Sequence, residues 1–563
     1  MICLVGFMGA GKSTALGELG RQGLGTIDLD EAIEERAGRS IPEIFSREGE
    51  DAFRKIEEEV ALEVIQKGGF DAVALGGGAV TSDSIRQALA DPDVQVVWLD
   101  VSPELAWERV SGSDRPLAGD RSSFDRLFRE RELLYMELAD AILPGGSSFD
   151  VAELLPLVAG LGDLPAGTRL LWAPGTPHGY PVFVGPSLLG TDLLRPTGPV
   201  LSRLGGRSFT VTDEEVGAIH GGSLDDEGSR ITVPAGEASK SLATAESVMR
   251  ELARLGAGRG DHLVALGGGV VGDLVGFCAA TYQRGIPVVQ VPTSLVAQVD
   301  SAYGGKTGVD LPEGKNYVGA FHLPAAVVSD TTLLATLPEA ELAAGMAEVI
   351  KTGLLAGGYL WEEVRRLEPG EILSRPDIVF GCARYKCQVV SADERDSGLR
   401  AVLNLGHTVG HAIETATGYT TYRHGEAVAL GLLAAMRLSG ADELRAEIAE
   451  LNERHGLPLE MDSGIDPGKV VDAVAFDKKK TEAGVGFILL SEPGSPRIDC
   501  LVERDDLVAA VGEISQWAGP RTGLPSSTGS TSASWTAVTP ICTGASRYLS
   551  SSTESAGGPR SAV

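Results

Sequence analysis

Cysteine is scarce in this chain: six residues in 563, at Cys3, Cys278, Cys382, Cys387, Cys500 and Cys542, with no CxxC pair among them. That scatter argues against a disulfide framework and against thiolate-bound zinc. It fits a reduced compartment in which the cysteines are small buried hydrophobes. Also missing is any apolar run of about 18 residues without a charge or a glycine cluster, so no membrane span and no membrane partner is expected. Basic residues are outnumbered, 48 Lys and Arg against 78 Asp and Glu, for a net charge of −30 at pH 7. A surface of that sign repels phosphate backbones, so nucleic acid is not an expected partner, and the basic residues that matter must be locally concentrated. The N-terminus lacks the basic region of a signal peptide and enters a functional motif at Gly6, so a cytoplasmic location is expected.

What is present reads as globular protein: 43% hydrophobic and 22% charged residues, in a chain too long for one ordinary core. At least two domains are expected. Residues 1–160 alternate short apolar runs (ICLVGF, AVALGG, VQVVWLD) with helical stretches, the rhythm of βαβ units and a parallel α/β sheet with helices on both faces. Residues 161–179 are dense in Gly and Pro and read as a linker. Strands and glycine turns alternate again over 180–332, an α/β half, whereas Ala/Leu/Glu-rich helical patterns fill 333–517, an all-helical half. Residues 518–563, rich in Ser, Thr and Gly, are expected to be a disordered tail.

Gly6-Phe7-Met8-Gly9-Ala10-Gly11-Lys12-Ser13 fits the P-loop pattern, directly after an apolar strand and before helix-forming residues. Such glycines let backbone N–H groups cradle phosphates at a helix N-terminus, while Lys12 reaches the terminal phosphates and the Ser13 hydroxyl ligates magnesium. Four further pieces follow: Asp28-Leu29-Asp30, Phe53-Arg54, Gly76-Gly77-Gly78 and Arg115-Pro116-Leu117, with Arg131 beyond. Through these the segment resembles shikimate kinase over nearly its whole length. The resemblance implies ATP and Mg2+ on Gly9, Gly11, Lys12, Ser13, Thr14, Asp28 and Arg115. It implies shikimate on Asp30, Arg54, Gly77, Gly78 and Arg131, with Lys12, Asp30 and Arg115 in catalytic roles. Guanidinium forks suit a carboxylate and an Asp suits vicinal hydroxyls, while Arg115 in a short polar stretch suits a mobile lid. The chain starts unusually close to its first strand, which leaves the completeness of the N-terminus open.

Later in the chain, LGGGVVGD contains a G-x-G-x-x-G spacing after an apolar strand, nearly as consistent with a structural turn as with a dinucleotide site. His407 and His411, four residues apart, read either as a helical metal pair or as hydrogen-bonded core histidines. With PAGEASKS, GGGVVGDLVGF, VPTSLVAQVDSAYGGKTGVDLPEGKN, AEVIKTG, LNLGHTVGHAIE and HGEAVALG, the stretch from Tyr180 to Gln516 resembles 3-dehydroquinate synthase. The resemblance implies NAD on Asp213, Glu237, Lys240, Gly268, Gly269, Asp273, Thr293, Ser294 and Lys315, and Zn2+ or Co2+ on Glu348, His407 and His424. It implies 3-deoxy-D-arabino-heptulosonate 7-phosphate on Arg284, Asp300, Lys306, Asn316, Lys351, Lys386, Arg400, Asn404, His411 and Lys478. Among these, Lys306, Lys351, Asn404 and His411 take catalytic roles. Ser294 and Glu215 depart from the family's usual Thr and Asn. A buried site for a phosphorylated sugar acid needs several cations to offset desolvation, which the lysine set supplies. A homodimer through this second enzyme rests on the resemblance alone. Two other readings are a polyol dehydrogenase with net NAD turnover, against which the lysines weigh, and a scaffold in which one domain binds ligand without turnover.

Overall fold

The computed structural model describes residues 1–112, 120–145, 151–224, 229–476, 480–481 and 484–516. Arg115, Lys478 and the tail over 518–563 lie outside the described residues. The chain forms two compact units: Met1–Arg400 with Arg454–Gly456, and Ala401–Glu453 with the residues from Leu457 onward.

Strands of the first unit come in chain order as β1 Ile2–Val5, β2 Thr26–Asp28, β3 Ala72–Ala74, β4 Gln95–Asp100, β5 Ala141–Pro144 and β6 Arg169–Ala173. They continue with β7 Tyr180–Gly185, β8 Ser208–Asp213, β9 Arg230–Val233, β10 His262–Gly267, β11 Val288–Pro292, β12 Lys306–Leu311, β13 Gly314–Phe321 and β14 Ala326–Asp330. Twelve of them make one sheet in the order β2-β3-β1-β4-β5-β6-β7-β14-β11-β10-β8-β9. Every neighbouring pair is parallel except β6 with β7. Central strands of a parallel sheet are covered on both faces, and the sequence shows it: every residue of ICLV in β1 and of HLVALG in β10 is buried. The helix Gly269–Thr281 is apolar all round for the same reason, and packs with Phe209, Val211, Leu263 and Val288 in one core.

Three expectations need correction. The segment 161–179, expected as a linker, contains β6, which pairs in parallel with β5 and antiparallel with β7. Leu170, Leu171 and Ala173 of β6 are buried, so Gly and Pro mark only the turns around a short strand. The compact division falls at Arg400, not at 332, because helices Glu339–Ala356 and Pro376–Ala392 bury Lys351 and Lys386 against Asp300 of the first unit. The half expected to be all-helical also holds a three-stranded antiparallel sheet of β15 Lys480–Thr481, β16 Gly484–Leu490 and β17 Pro496–Leu501. Phe487, Ile488, Leu489 and Leu490 of β16 form a continuous buried run with no alternation, and a two-residue β15 leaves no periodicity to read.

Among the described residues Cys3, Cys278, Cys382 and Cys387 are buried and form no disulfide, and no helix is long and apolar enough to cross a membrane.

Candidate active sites

At the C-terminal end of β1 the chain turns sharply into the helix Lys12–Arg21. Glycine is required at two points of this turn: a Cβ on Gly6 (φ 148°) would lie 2.8 Å from the Leu99 carbonyl oxygen, and one on Gly9 (φ 84°) 2.9 Å from that of Ala106. Lys12 Nζ donates to the carbonyl oxygens of Gly6 at 2.7 Å and Phe7 at 3.3 Å. The Ser13 hydroxyl donates to Asp28 Oδ2 at 2.7 Å, and Asp28 Oδ1 caps the next helix by accepting from Asp30 N. A hydroxyl and a carboxylate so joined beside a phosphate cradle are a hard-oxygen donor set that suits magnesium. A cavity of about 340 Å³ brings Gly9, Gly11, Lys12, Ser13, Thr14, Asp28, Asp30 and Gly77 together, with Arg109 on its wall.

Arg54 lies on the helix Glu50–Lys67 and bonds Glu57 Oε2 through Nη1 at 2.5 Å and Glu50 Oε1 through Nη2 at 3.0 Å. Its guanidinium covers Gly78, where a Cβ would come within 2.3 Å of Nη1. Burial pushes the Glu57 carboxyl up, against the pull of Arg54. Arg131, on the helix Arg121–Leu138, is only 4% exposed and packs over the Phe7 ring, and burial lowers its pKa from the usual arginine value. Two guanidinium groups held in a desolvated wall are suited to a carboxylate ligand. Sequence reasoning missed Glu57, Arg109, which donates to Gly9 O at 2.8 Å, and Tyr135, whose hydroxyl donates to Gly77 O. Only Glu57 left a signal, its i+3 spacing from Arg54 on a helix.

The second site of the first unit lies at the C-terminal ends of β10 and β11. Gly267-Gly268-Gly269 joins β10 to the helix Gly269–Thr281, so the glycine turn has the strand-turn-helix context that dinucleotide binding requires. Gly268 faces Ser294, and Thr293 N donates to Gly267 O at 3.0 Å, which ties the two strand ends together. Lys240, 6% exposed, bonds Asp273 at 2.6 Å; burial alone would lower its pKa, but Asp273 outweighs burial and keeps it charged. Lys315 stands 3.6 Å from Glu237, and Asp213 caps the helix Glu214–His220.

Beside this turn a cavity of about 500 Å³ is lined by Asp273, Asp300, Lys306, Asn316, Lys386 and Arg400. Asp300, on a one-turn π-helix Ala297–Ser301, accepts from Lys386 at 2.7 Å and lies 3.7 Å from Lys351. Burial would raise its carboxyl, but the two lysines bring it down to about 2. Lys351 and Glu348 pair at 2.5 Å on the helix Glu339–Ala356, each only 1% exposed. Burial lowers Lys386. Arg400, 2% exposed, donates to the carbonyl oxygens of Gly304 and Glu394, and Gly304 (φ 81°) leaves it room: a Cβ there would lie 2.6 Å from Nη2. The buried Asp393 carboxylate, unremarked in the sequence, holds this loop by accepting from the backbone N–H groups of Ser397, Gly398 and Arg400. Arg284 is exposed in a left-handed conformation (φ 70°) and is not brought into this cavity.

In the second unit the helices His407–Ala416 and His424–Ser439 cross at glycines. A Cβ on Gly431 would lie 2.0 Å from Gly406 O, and one on Gly410 3.0 Å from Ala427 O. That close approach groups His407, His411 and His424, whose ligand atoms all lie within 4.8 Å of one another. His407 Nδ1 faces Leu405 O at 3.1 Å and His424 Nδ1 faces Glu414 Oε2 at 3.4 Å. With Nδ1 donating to those acceptors, Nε2 of each ring is left as the ligand atom, and three imidazoles so grouped fit a divalent transition metal. Glu414, 3% exposed, went unread in the sequence. His411, expected at the sugar phosphate, shares this cluster, and Asn404 ends the short helix Leu399–Asn404 three residues before His407.

Residues 8–153 match the family model for shikimate kinase. Residues 230–344 match that for the N-terminal part of 3-dehydroquinate synthase, and 345–480 that for its C-terminal part. A 3-dehydroquinate synthase of Symbiobacterium thermophilum is 46% identical over 334 residues, 56% of this chain and 92% of that protein. One of Methylococcus capsulatus is 42% identical over 346 residues, 58% of this chain and 94% of that protein. The fold is also that of a 2-epi-5-epi-valiolone synthase from Streptomyces hygroscopicus with NAD+ and Zn2+ bound (TM-score 0.51, 25% identity, 60% of this chain and 96% of that one).

Proposed function

Since the chain belongs to the 3-dehydroquinate synthase family and carries a shikimate kinase domain ahead of it, it joins two enzymes of the shikimate pathway, and we propose how its residues divide the work. Residues 1–160 phosphorylate shikimate with ATP. Residues 180–332 hold NAD and part of the substrate, and 333–517 supply the metal ligands and further substrate groups for converting 3-deoxy-D-arabino-heptulosonate 7-phosphate to 3-dehydroquinate and phosphate. Residues 161–179 join the two enzymes.

In the kinase, Lys12 and the P-loop N–H groups hold the phosphates, and Ser13 with Asp28 holds Mg2+. Arg54 and Arg131 hold the shikimate carboxylate, and Asp30 orients the attacking hydroxyl. Arg115 neutralises charge on the transferred phosphoryl group. In the synthase, Lys240, Asp273, Gly268, Gly269, Thr293 and Ser294 hold NAD, with Asp213, Glu237 and Lys315 beside them. Glu348, His407 and His424 ligate Zn2+ or Co2+, and His411, Asn404, Lys306 and Lys351 orient the substrate and move its protons. When bound, NAD supplies a reversible hydride acceptor and the metal a Lewis acid toward a substrate oxygen. Lys386, Arg400 and Asn316 clamp the anionic ends of the substrate, with Lys478 adding charge.

The observation that carries the synthase reading is the cavity at Asp300. Lys306, Lys386 and Arg400 converge there with Lys351 behind them, more cations than a polyol would require. A cytoplasmic location without a nucleic-acid partner accords with the net charge of −30 and the scattered cysteines, and a homodimer through the synthase follows from the family resemblance. The test is phosphate release from the heptulosonate phosphate with sub-stoichiometric NAD, absorbance being followed for NADH. Phosphate released over many turnovers without net NADH supports the reading, whereas NADH accumulating with a polyol would replace it with a dehydrogenase.

A further inference from the structure

The helix Pro376–Ala392 serves two neighbourhoods with two faces. Lys386 points one way, to Asp300 at 2.7 Å. Arg384, two residues earlier and so about 200° around the axis, points the other way. There its Nη2 donates to Asp100 Oδ2 and to Glu132 Oε1, both at 3.0 Å, and its guanidinium lies 4.6 Å from the centre of the Trp98 ring. Asp100 and Trp98 belong to β4 and Glu132 to the helix Arg121–Leu138, all inside the shikimate kinase segment, more than 250 residues away in sequence.

One turn earlier on the same face, Phe380 packs under the Arg169 guanidinium of β6, at 4.1 Å. Arg169 in turn donates to the carbonyl oxygens of Met136 and Ala139, closing the C-terminal end of the helix that carries Glu132. Neither arginine stands on an open surface: the Arg384 side chain is 12% exposed, Asp100 23% and Glu132 33%. The contact continues inward. Trp98 stacks on Tyr135 with ring centres 5.8 Å apart, and the Tyr135 hydroxyl donates to Gly77 O. Arg131 is the immediate neighbour of Glu132, and Gly77 lines the kinase cavity.

We propose that Arg384, a residue of the synthase segment, is a positioning residue for the kinase: it fixes the helix Arg121–Leu138 and β4 so that Arg131 and Gly77 meet the shikimate carboxylate. The inference rests on the reading of Arg131 and Gly77 as shikimate residues. A guanidinium stacked on Trp98, with Nη2 donating to two carboxylates, fixes orientation in a way a point charge does not, so Arg384→Lys should recover only part of what Arg384→Met loses. The P-loop keeps its conformation through its own glycines and meets this chain of residues where Gly77 faces Gly6 O and Met8 N and where Arg131 covers Phe7, so shikimate binding should suffer before ATP binding.

The test uses the full chain. In Arg384→Met the KM for shikimate should rise about three- to thirtyfold, the size of effect expected when a network residue outside a site is removed. The KM for ATP and the synthase rate should hold, with Arg384→Lys intermediate. A shikimate KM unchanged in a variant that unfolds at the wild-type temperature overturns the proposal, and so does an equal rise in both KM values, which would mean general loosening. If Arg384→Met does not fold, Glu132→Gln tests the same contact from the kinase side: a smaller rise in the shikimate KM supports the proposal and no rise overturns it. A wild-type chain that does not phosphorylate shikimate at all would overturn the kinase reading, and this inference with it.

Discussion

Gly431→Ala puts two opposed effects against each other. In the middle of the helix His424–Ser439 the substitution improves intrinsic helix propensity by about 1 kcal/mol. The new Cβ, however, would stand 2.0 Å from Gly406 O and 2.9 Å from Gly410 N, atoms of the backbone that carries His407 and His411. Backbone cannot rotate away as a side chain tip can, so the two helices must separate by at least about 1 Å to reach ordinary contact. Overpacking of this kind costs about 1–3 kcal/mol, and a contact so short belongs at the upper end, so the clash should win by about 1–2 kcal/mol. The same movement pulls His424 from His407 and His411, whose ligand atoms now lie within 4.8 Å, and a site tolerates only about 0.5 Å of such error. Zinc affinity, measured on the apo chain by competition with a chromophoric chelator, should fall about 10–100-fold. Thermal unfolding should begin several degrees lower. Gly512→Ala is the control, because a Cβ there meets nothing within 4 Å in the helix Arg504–Ile514, and it should stabilise slightly. If Gly431→Ala binds zinc like the wild type, or matches Gly512→Ala in stability, the account of helix contact is wrong.

Lys240→Met should weaken NAD binding and lower unfolding free energy in urea by about 1–3 kcal/mol, since it strips the half-buried Asp273 of its cation. Adding Asp273→Asn should restore stability but not NAD affinity; recovery of both would remove the pair from the NAD site. Asp300, held at about 2 against an ordinary 3.8, binds its proton more weakly folded than unfolded. Its stabilisation is therefore present above the ordinary carboxylate range and is lost as pH falls from about 4 towards 2. Urea midpoints should drop more steeply over that window in the wild type than in Asp300→Asn, and parallel profiles would refute the assignment. Removing the transition metal with phenanthroline in excess Mg2+ should abolish phosphate release from the heptulosonate phosphate. Shikimate phosphorylation should continue, and loss of both would contradict two separate metal sites.

Much of this protein is legible before any coordinate is known. The P-loop is local chemistry: a strand, glycines with positive φ and a helix N-terminus follow one another in the chain, so sequence order is spatial order. The glycine turn after β10 and the capping of helices by Asp28 and Asp213 are local in the same sense. Ionic partners across the fold are not local. The i+3 spacing shows that Glu57 can meet Arg54 but not that the pair is desolvated, nothing near His424 marks Glu414 as its acceptor, and nothing near Arg384 points to Asp100 and Glu132. β6 failed as a strand in the sequence because five residues between proline and glycine turns carry too little periodicity; pairing with both β5 and β7 makes it one. Residue types and their order thus determined the two enzyme families and pointed to the residues proposed for their sites. Tertiary structure alone decided which charges are desolvated together, because burial and pairing depend on segments that meet only after hundreds of intervening residues have folded.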